Sequence, residues 1–156
     1  MNITIRPLQE KDAYTSVNWR NDPSIWTHTE FSATRKITIE DELNWIKKVM
    51  ADKSCRRFAI LADSDYIGNT YLTDIDGGGA DFHIFIGDKS YWGKGVAKKA
   101  SKLVIDFAKN ELGLNIINLG VKSDNIPALS IYKSLGFTES GVKDGFLRMK
   151  LDLRTT

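Results

Sequence analysis

Two windows of the chain hold residues whose type and spacing could do chemistry. The first is Gly87-Asp88-Lys89-Ser90-Tyr91-Trp92-Gly93-Lys94-Gly95-Val96-Ala97-Lys98, set between an apolar strand-like run and an amphipathic helical run. A turn of this kind aims backbone N–H groups outward at a helix N-terminus, which carries about half a positive charge and several unpaired amides. A diphosphate could sit there if the nearest residues lack bulky Cβ groups. Gly93 and Gly95 meet that need, and Lys94 or Lys98 would add charge. The competing reading is a loop whose glycines only relieve strain. The spacing is not that of a P-loop, and the dinucleotide motif would need a third glycine.

The second window is Asn125-Ile126-Pro127-Ala128-Leu129-Ser130-Ile131-Tyr132-Lys133-Ser134-Leu135-Gly136-Phe137, after a strand-like run ending at Val121. Taken together, the two windows resemble the GNAT acetyltransferase superfamily. Gly93-Lys94-Gly95-Val96-Ala97 matches its pyrophosphate loop, and Asn125, Ala128, Tyr132, Gly136 and Phe137 match its C-terminal motif at the family spacing. The resemblance implies acetyl-CoA as co-substrate and a primary amine as acceptor. It implies cofactor contacts from Phe85, Ile86 and Gly87, whose backbone would hold the pantetheine and face the developing oxyanion. Further contacts would come from Trp92, Gly93, Lys94, Gly95, Val96, Ala97, Lys98, Asn125 and Tyr132. Trp92 stands where the family usually has Arg or Gln, which would remove one side-chain phosphate contact and leave the backbone cradle intact. The turn from Gly141 to Gly145 is shorter than the hairpin many relatives carry.

Coenzyme A leaves as a thiolate of pKa about 8–9, so a proton donor is needed within hydrogen-bond reach. Tyr132 is the matching family position; the alternative is an aromatic side chain packed on the core. Asn125 could bind the cofactor, cap the following helix, or do both. The amine must also lose a proton. Asp81, His83 and Phe85 alternate onto one face of the strand that leads into the glycine loop, and His83 titrates near neutrality. His83 is therefore the candidate base, against a histidine satisfied by neighbouring strands while water relays the proton.

For the acceptor, Asn18-Trp19-Arg20-Asn21-Asp22-Pro23, Leu43-Asn44-Trp45-Ile46 and Ile67-Gly68-Asn69 resemble two branches of the superfamily. One acetylates nucleotide-linked amino sugars; the other acetylates N-termini of ribosomal proteins, with related members modifying small amines. Trp19, Arg20, Trp26 and Trp45 suit the first branch, because indole faces stack on sugars or bases and arginine binds diphosphate bidentately; the alternative is a packed lid, with Trp19 and Trp45 buried on helix faces. His28 lies beside Trp26 and joins Trp19, Arg20 and Trp26 as a candidate substrate contact. Peptide binding would want acidic groups, which Glu30, Glu40, Asp41 and Glu42 could supply unless they cap a helix. The reading is thus an amino-sugar N-acetyltransferase, with protein N-termini, small amines, or a CoA-binding sensor without turnover as alternatives.

The elements that must position these residues are legible as an α+β chain. Strands are expected at Asn2 to Arg6, Arg56 to Ala62, Tyr66 to Thr73, Asp81 to Gly87, Asn115 to Val121 and from Phe137 onward. The glycines after Asp76 predict a hairpin. Helices are expected near Lys11 to Asn21, after an N-cap at Thr38 with Leu43, Ile46, Lys47 and Met50 on one face, from Val96 to about Gly113, and at Ile126 to Leu135. The resemblance arranges these as a mixed, mostly antiparallel central sheet flanked by helices, with the CoA cleft where central strands splay. With 156 residues, one domain over 1–156 is expected. Twenty-two Lys plus Arg against 20 Asp plus Glu leaves +2, which argues against nucleic acid as a partner. No run is long and apolar enough for a membrane span, the start lacks a signal-peptide core, and the lone Cys55 suits a reducing compartment, so a cytoplasmic location is expected. No metal-ligand spacing is present, and a homodimer is compatible with the family.

Overall fold

The computed structural model describes residues 1–26 and 35–155. Seven strands form one sheet: β1 (Ile3–Pro7), β2 (Arg56–Ala62), β3 (Asp65–Asp76), β4 (Gly79–Ile86), β5 (Ile116–Val121), β6 (Thr138–Lys143) and β7 (Phe146–Asp152). Their order is β1-β2-β3-β4-β5-β7-β6, and every pairing is antiparallel except β4 with β5. Four α-helices complete it: α1 (Ala13–Arg20), α2 (Ile39–Ala51), α3 (Val96–Asn110) and α4 (Ile126–Ser134). This is the expected α+β architecture with a mostly antiparallel sheet. Among the described residues no helix is long and apolar enough to cross a membrane.

The β3–β4 connection explains its glycines. Asp76 pairs with Gly79, and the two residues between them, Gly77 and Gly78, have φ of 57° and 82°. A two-residue hairpin loop with positive φ at both centres matches the right-handed strand twist, and side chains resist that conformation. Cross-strand pairs then align Arg57 with Tyr71 and Tyr71 with His83, placing all three on one face of the sheet. The opposite face carries Phe58, Leu72, Phe82 and Ile117, packed into a core with Val104, Ile105 and Ala108 of α3.

Helix α2 starts as expected. Thr38 Oγ1 accepts from the Asp41 amide at 3.1 Å, and an Asp41 carboxylate oxygen accepts from the Thr38 amide at 2.9 Å. Its buried stripe is rotated from the expected one. Ile46 is buried, but Met50 is half exposed, and Glu42 is 2% exposed. The polar residue is inside because Ser16 Oγ donates to Glu42 at 2.6 Å and Arg20 Nε lies 3.3 Å from its other oxygen. A hydrophobicity pattern assigns Glu to solvent, so the α1–α2 ion pair is invisible to it.

Candidate active site

The parallel ladder between β4 and β5 is short. It runs from Gly79 opposite Ile116 to Asp81 opposite Asn118, although β4 continues to Ile86 and β5 to Val121. Beyond Asp81 the two strands diverge and leave a wedge at the centre of the sheet. The N-termini of α3 and α4 follow the two diverging strands in the chain, so the glycine loop and the Asn125 segment both belong to the open end.

Gly95 is the N-cap of α3 with φ 77° and ψ 9°, and Gly93 has φ 74°. A Cβ at either position would meet no atom within 4 Å. Backbone conformation therefore demands the glycines, and their bareness leaves the helix amides approachable to a diphosphate. Trp92 is 46% exposed, and its indole Nε1 donates to the Ile86 carbonyl at 2.8 Å. The residue that departs from the family pattern thus ties the loop to the end of β4.

The expected β4 backbone contacts divide. The Gly87 and Asp88 amides donate to the Ile67 carbonyl at 2.8 and 3.0 Å, so the Gly87 N–H is committed to β3. Successive amides along a strand point to opposite sides, which turns the Ile86 and Ile84 N–H groups toward the wedge. Gly87 is required for another reason. A Cβ there would stand 2.1 Å from the Trp19 ring.

Across the wedge, Asn125 caps α4, its side-chain oxygen accepting from the Ala128 amide at 3.3 Å. Tyr132 lies nearly two helical turns further on. Its ring meets Phe82 of β4 edge-on at 6.3 Å and Phe137 at 5.8 Å. Desolvation alone pushes the phenol up to about 12, so it keeps its proton across the physiological range. Among the described residues no hydrogen-bond partner competes for the hydroxyl.

On the other face of the sheet, α1 and α2 form a cleft of about 140 Å³ lined by Arg20, Trp26, Trp45, Arg57, Tyr71 and Phe85, with Asn69 at its floor. Arg20 lies 4.0 Å and Arg57 4.9 Å from the Trp45 ring centre, and Arg57 is 4.4 Å from that of Tyr71. His83 continues the stack, its imidazole 4.8 Å from Tyr71 with 12° between planes, and its Nε2 is 2.9 Å from Thr73 Oγ1. One edge of the imidazole stays open to solvent. Desolvation of the stacked ring, helped by Arg57 and Arg148 and opposed by Asp81, holds His83 below its ordinary value. It is neutral at pH 7.

Of the acceptor-side residues expected from sequence, Arg20, Trp26 and Trp45 line the cleft. Trp19 is 8% exposed and packs behind it, 4.8 Å from Tyr66 and 6.0 Å from Phe85. Its part is to back Phe85, which Trp26 contacts from the cleft side at 4.7 Å. His28 lies outside the described residues. Sequence reasoning missed Arg57 and Tyr71. The available signal was strand alternation, which puts Arg57 opposite in sense to Phe58, but only the β2–β3–β4 register places it beside Tyr71 and His83.

The glycine loop at a helix N-terminus beside a parted pair of central strands has its counterpart in a sequence profile. The profile of the acetyltransferase (GNAT) domain matches residues 2–138. The chain belongs to the GNAT acetyltransferase family. It is similar to the spermidine N(1)-acetyltransferase of Escherichia coli K12, with 30% identity over 90% of this chain and 75% of that protein. The acetyltransferase PseH of Campylobacter jejuni is 29% identical over 84% of this chain and 80% of its own. The spermidine N-acetyltransferase of Vibrio cholerae in complex with CoA and spermine superposes with a TM-score of 0.86 at 25% identity, covering 97% and 96% of the two chains. The chain is an acetyl-CoA-dependent N-acetyltransferase of the GNAT type. Its wedge and glycine loop fit the co-substrate: bare helix amides suit a diphosphate, and outward strand amides suit pantetheine.

Proposed function

We propose that the acceptor is the primary amine of a nucleotide-linked amino sugar, held in the cleft between α2 and the sheet. The observation that carries this reading is the lining of that cleft. Indole, phenol and guanidinium groups dominate it, and among the described residues no carboxylate lines it. Aromatic faces stack on sugar or base rings, and guanidinium forks pair with diphosphate. The peptide alternative loses support because Glu42 is consumed by Arg20 and Ser16, and Asp41 by the Thr38 cap. Similarity to spermidine acetyltransferases favours a polyamine acceptor, and the Arg57 charge in the cleft disfavours it.

In the proposed mechanism Gly93, Gly95 and the first turn of α3 hold the diphosphate of acetyl-CoA, which supplies a thioester carbonyl to the amine. The Ile84 and Ile86 amides orient the pantetheine and stabilise the oxyanion. His83, neutral, accepts the proton the amine loses, directly or through one water. Tyr132 donates a hydrogen bond from its hydroxyl to the sulfur as the C–S bond breaks, and the proton taken up by His83 passes through solvent to the thiolate, so that amide and CoA thiol balance the reaction. Asn125 orients α4 and hence Tyr132.

The test is thiol release from acetyl-CoA with a panel of amines: nucleotide-linked 4-amino sugars, N-terminal peptides, spermidine and aminoglycosides. Turnover with the amino sugars is expected. Turnover confined to peptides or to spermidine would overturn the acceptor assignment, and CoA binding without turnover on any amine would favour a sensor.

A further inference from the structure

The cleft contains a cation whose charge the described protein does not answer. Arg57 projects from β2 between the Trp45 ring at 4.9 Å and the Tyr71 ring at 4.4 Å. Its Nε is buried and has no hydrogen-bond partner. Among the described residues no carboxylate lies within ion-pair distance of its guanidinium. Arg6 pairs with Asp12, Arg20 with Glu42, Arg35 with Asp41 and Arg148 with Asp81. Glu42, the buried acid of the α1–α2 layer, already receives Arg20 and Ser16. Asp52 senses the charge of Arg57 but is exposed and bonded to Ser54. Tyr71 is pushed up by desolvation and stays neutral, and His83 is held neutral.

Arg57 is partly buried, and its Nε, a buried donor without a partner, costs free energy. Two aromatic faces stabilise the guanidinium plane, and apart from the hydrogen bond that Tyr71 feels from Arg57 they leave the N–H groups along its edge unsatisfied. Those N–H groups are what a planar fork offers to an oxyanion. We propose that Arg57 is the specificity-determining anchor of the acceptor site, binding an anionic group carried by the amine substrate and thereby rejecting polyamines. The aromatic rings leave the edge of the guanidinium as its polar surface, and Arg20 adds a second cation over the same Trp45 ring. A polycation entering this cleft would meet the Arg57 charge and, among the described residues, no lining acid. A diphosphate would meet the Arg57 fork and rings to stack on. The inference rests on this cleft being the acceptor's, and it adds that a negative group on the acceptor is required.

Calorimetry on protein saturated with CoA tests the anchor without needing turnover, because the cofactor's own phosphate site is then filled. The probes are UDP, succinate and spermidine. UDP is expected to bind saturably at one site, Arg57→Gln to weaken it by tenfold or more, and Arg57→Lys to restore part of the loss. CoA affinity and melting temperature should stay near those of the parent chain in at least one of the two variants. Succinate binding as well as UDP would make the recognised anion a carboxylate, with the same anchor. Spermidine binding in preference to UDP would overturn the proposal. So would no UDP binding, or equal UDP affinity in a folded Arg57→Gln protein. Arg57-dependent UDP binding without turnover on amino sugars would instead count against the amino-sugar acceptor alone.

Discussion

Removing a single oxygen, by Tyr132→Phe, isolates the proton-donor role. The ring contacts with Phe82 and Phe137 survive the change, and the hydroxyl has no protein partner among the described residues to leave stranded. Stability should hold or rise slightly, since a desolvated polar group is lost and no unsatisfied one is created. The rate effect follows from acidity. A phenol at about 12 is a weaker acid than a thiol of pKa about 8–9 by roughly three to four powers of ten, so complete transfer to the thiolate is uphill. What the hydroxyl supplies is chiefly a hydrogen bond to developing negative charge on sulfur. Bonds to charged groups contribute about 1.5–3 kcal/mol, which at about 1.4 kcal/mol per decade lowers kcat by roughly 10- to 150-fold. The assay is thiol release at saturating acetyl-CoA and acceptor, with CoA affinity and melting temperature measured on the same protein. Unchanged kcat would remove the hydroxyl from the reaction. Loss of CoA affinity equal to the loss of kcat/KM would make it a binding group, since only interactions gained in the transition state lower kcat.

Three further outcomes are expected. Gly95→Val places a β-branched residue at φ 77°, where chirality costs about 1–2 kcal/mol and the branches crowd the α3 amides; CoA titration should show affinity abolished in a folded protein, and unchanged affinity would refute the loop assignment. Gly87→Ala drives a methyl to 2.1 Å from Trp19, an overpacking of about 1–3 kcal/mol that should lower Tm by roughly 2–12 °C in a thermal melt, and an unshifted Tm would mean the ring moves freely. His83 is held below its ordinary value of about 6.5, so if it is the neutral base as proposed, kcat/KM should be flat near pH 7 and fall as pH drops through that lowered value. His83→Ala should erase this acidic limb, and a variant with the parent pH profile would remove His83 as base.

Most of the frame was legible because its signals are local. The 3.6-residue period after Gly95, the Thr38 cap, the paired glycines at the hairpin and Pro127 in the first turn of α4 each specify their own element. The cofactor loop was legible for the same reason, since all its parts lie within one short window. The acceptor cleft was not. Its residues come from α1, α2, β2, β3 and β4, and only register brings Arg57, Tyr71 and His83 into one column. Trp19 kept two readings because an indole near a site can be the site's wall or its backing, and composition cannot separate the two. Glu42 misled because a buried charge is recognisable only with its partner.

On the proposed reading, strand β4 is where cofactor and acceptor meet. Its alternate side chains His83 and Phe85 lie beside the cleft, while the outward amides of Ile84 and Ile86 face the wedge. One strand would thus set the distance between an amine on its face and a thioester along its edge. The registration is held at the far end of the strand from two sides. Gly68 packs so closely that a Cβ would stand 2.4 Å from the Phe85 carbonyl, and Trp92 holds the Ile86 carbonyl from the loop. Trp19 presses on Gly87 and Phe85 together, so displacing that one indole moves the acceptor wall and the cofactor edge at once. A change confined to the acceptor, such as Arg57→Gln, should alter KM for the amine and spare CoA binding, whereas Gly87→Ala should alter both. Equal effects of the two substitutions on CoA affinity would contradict this division of β4 between face and edge.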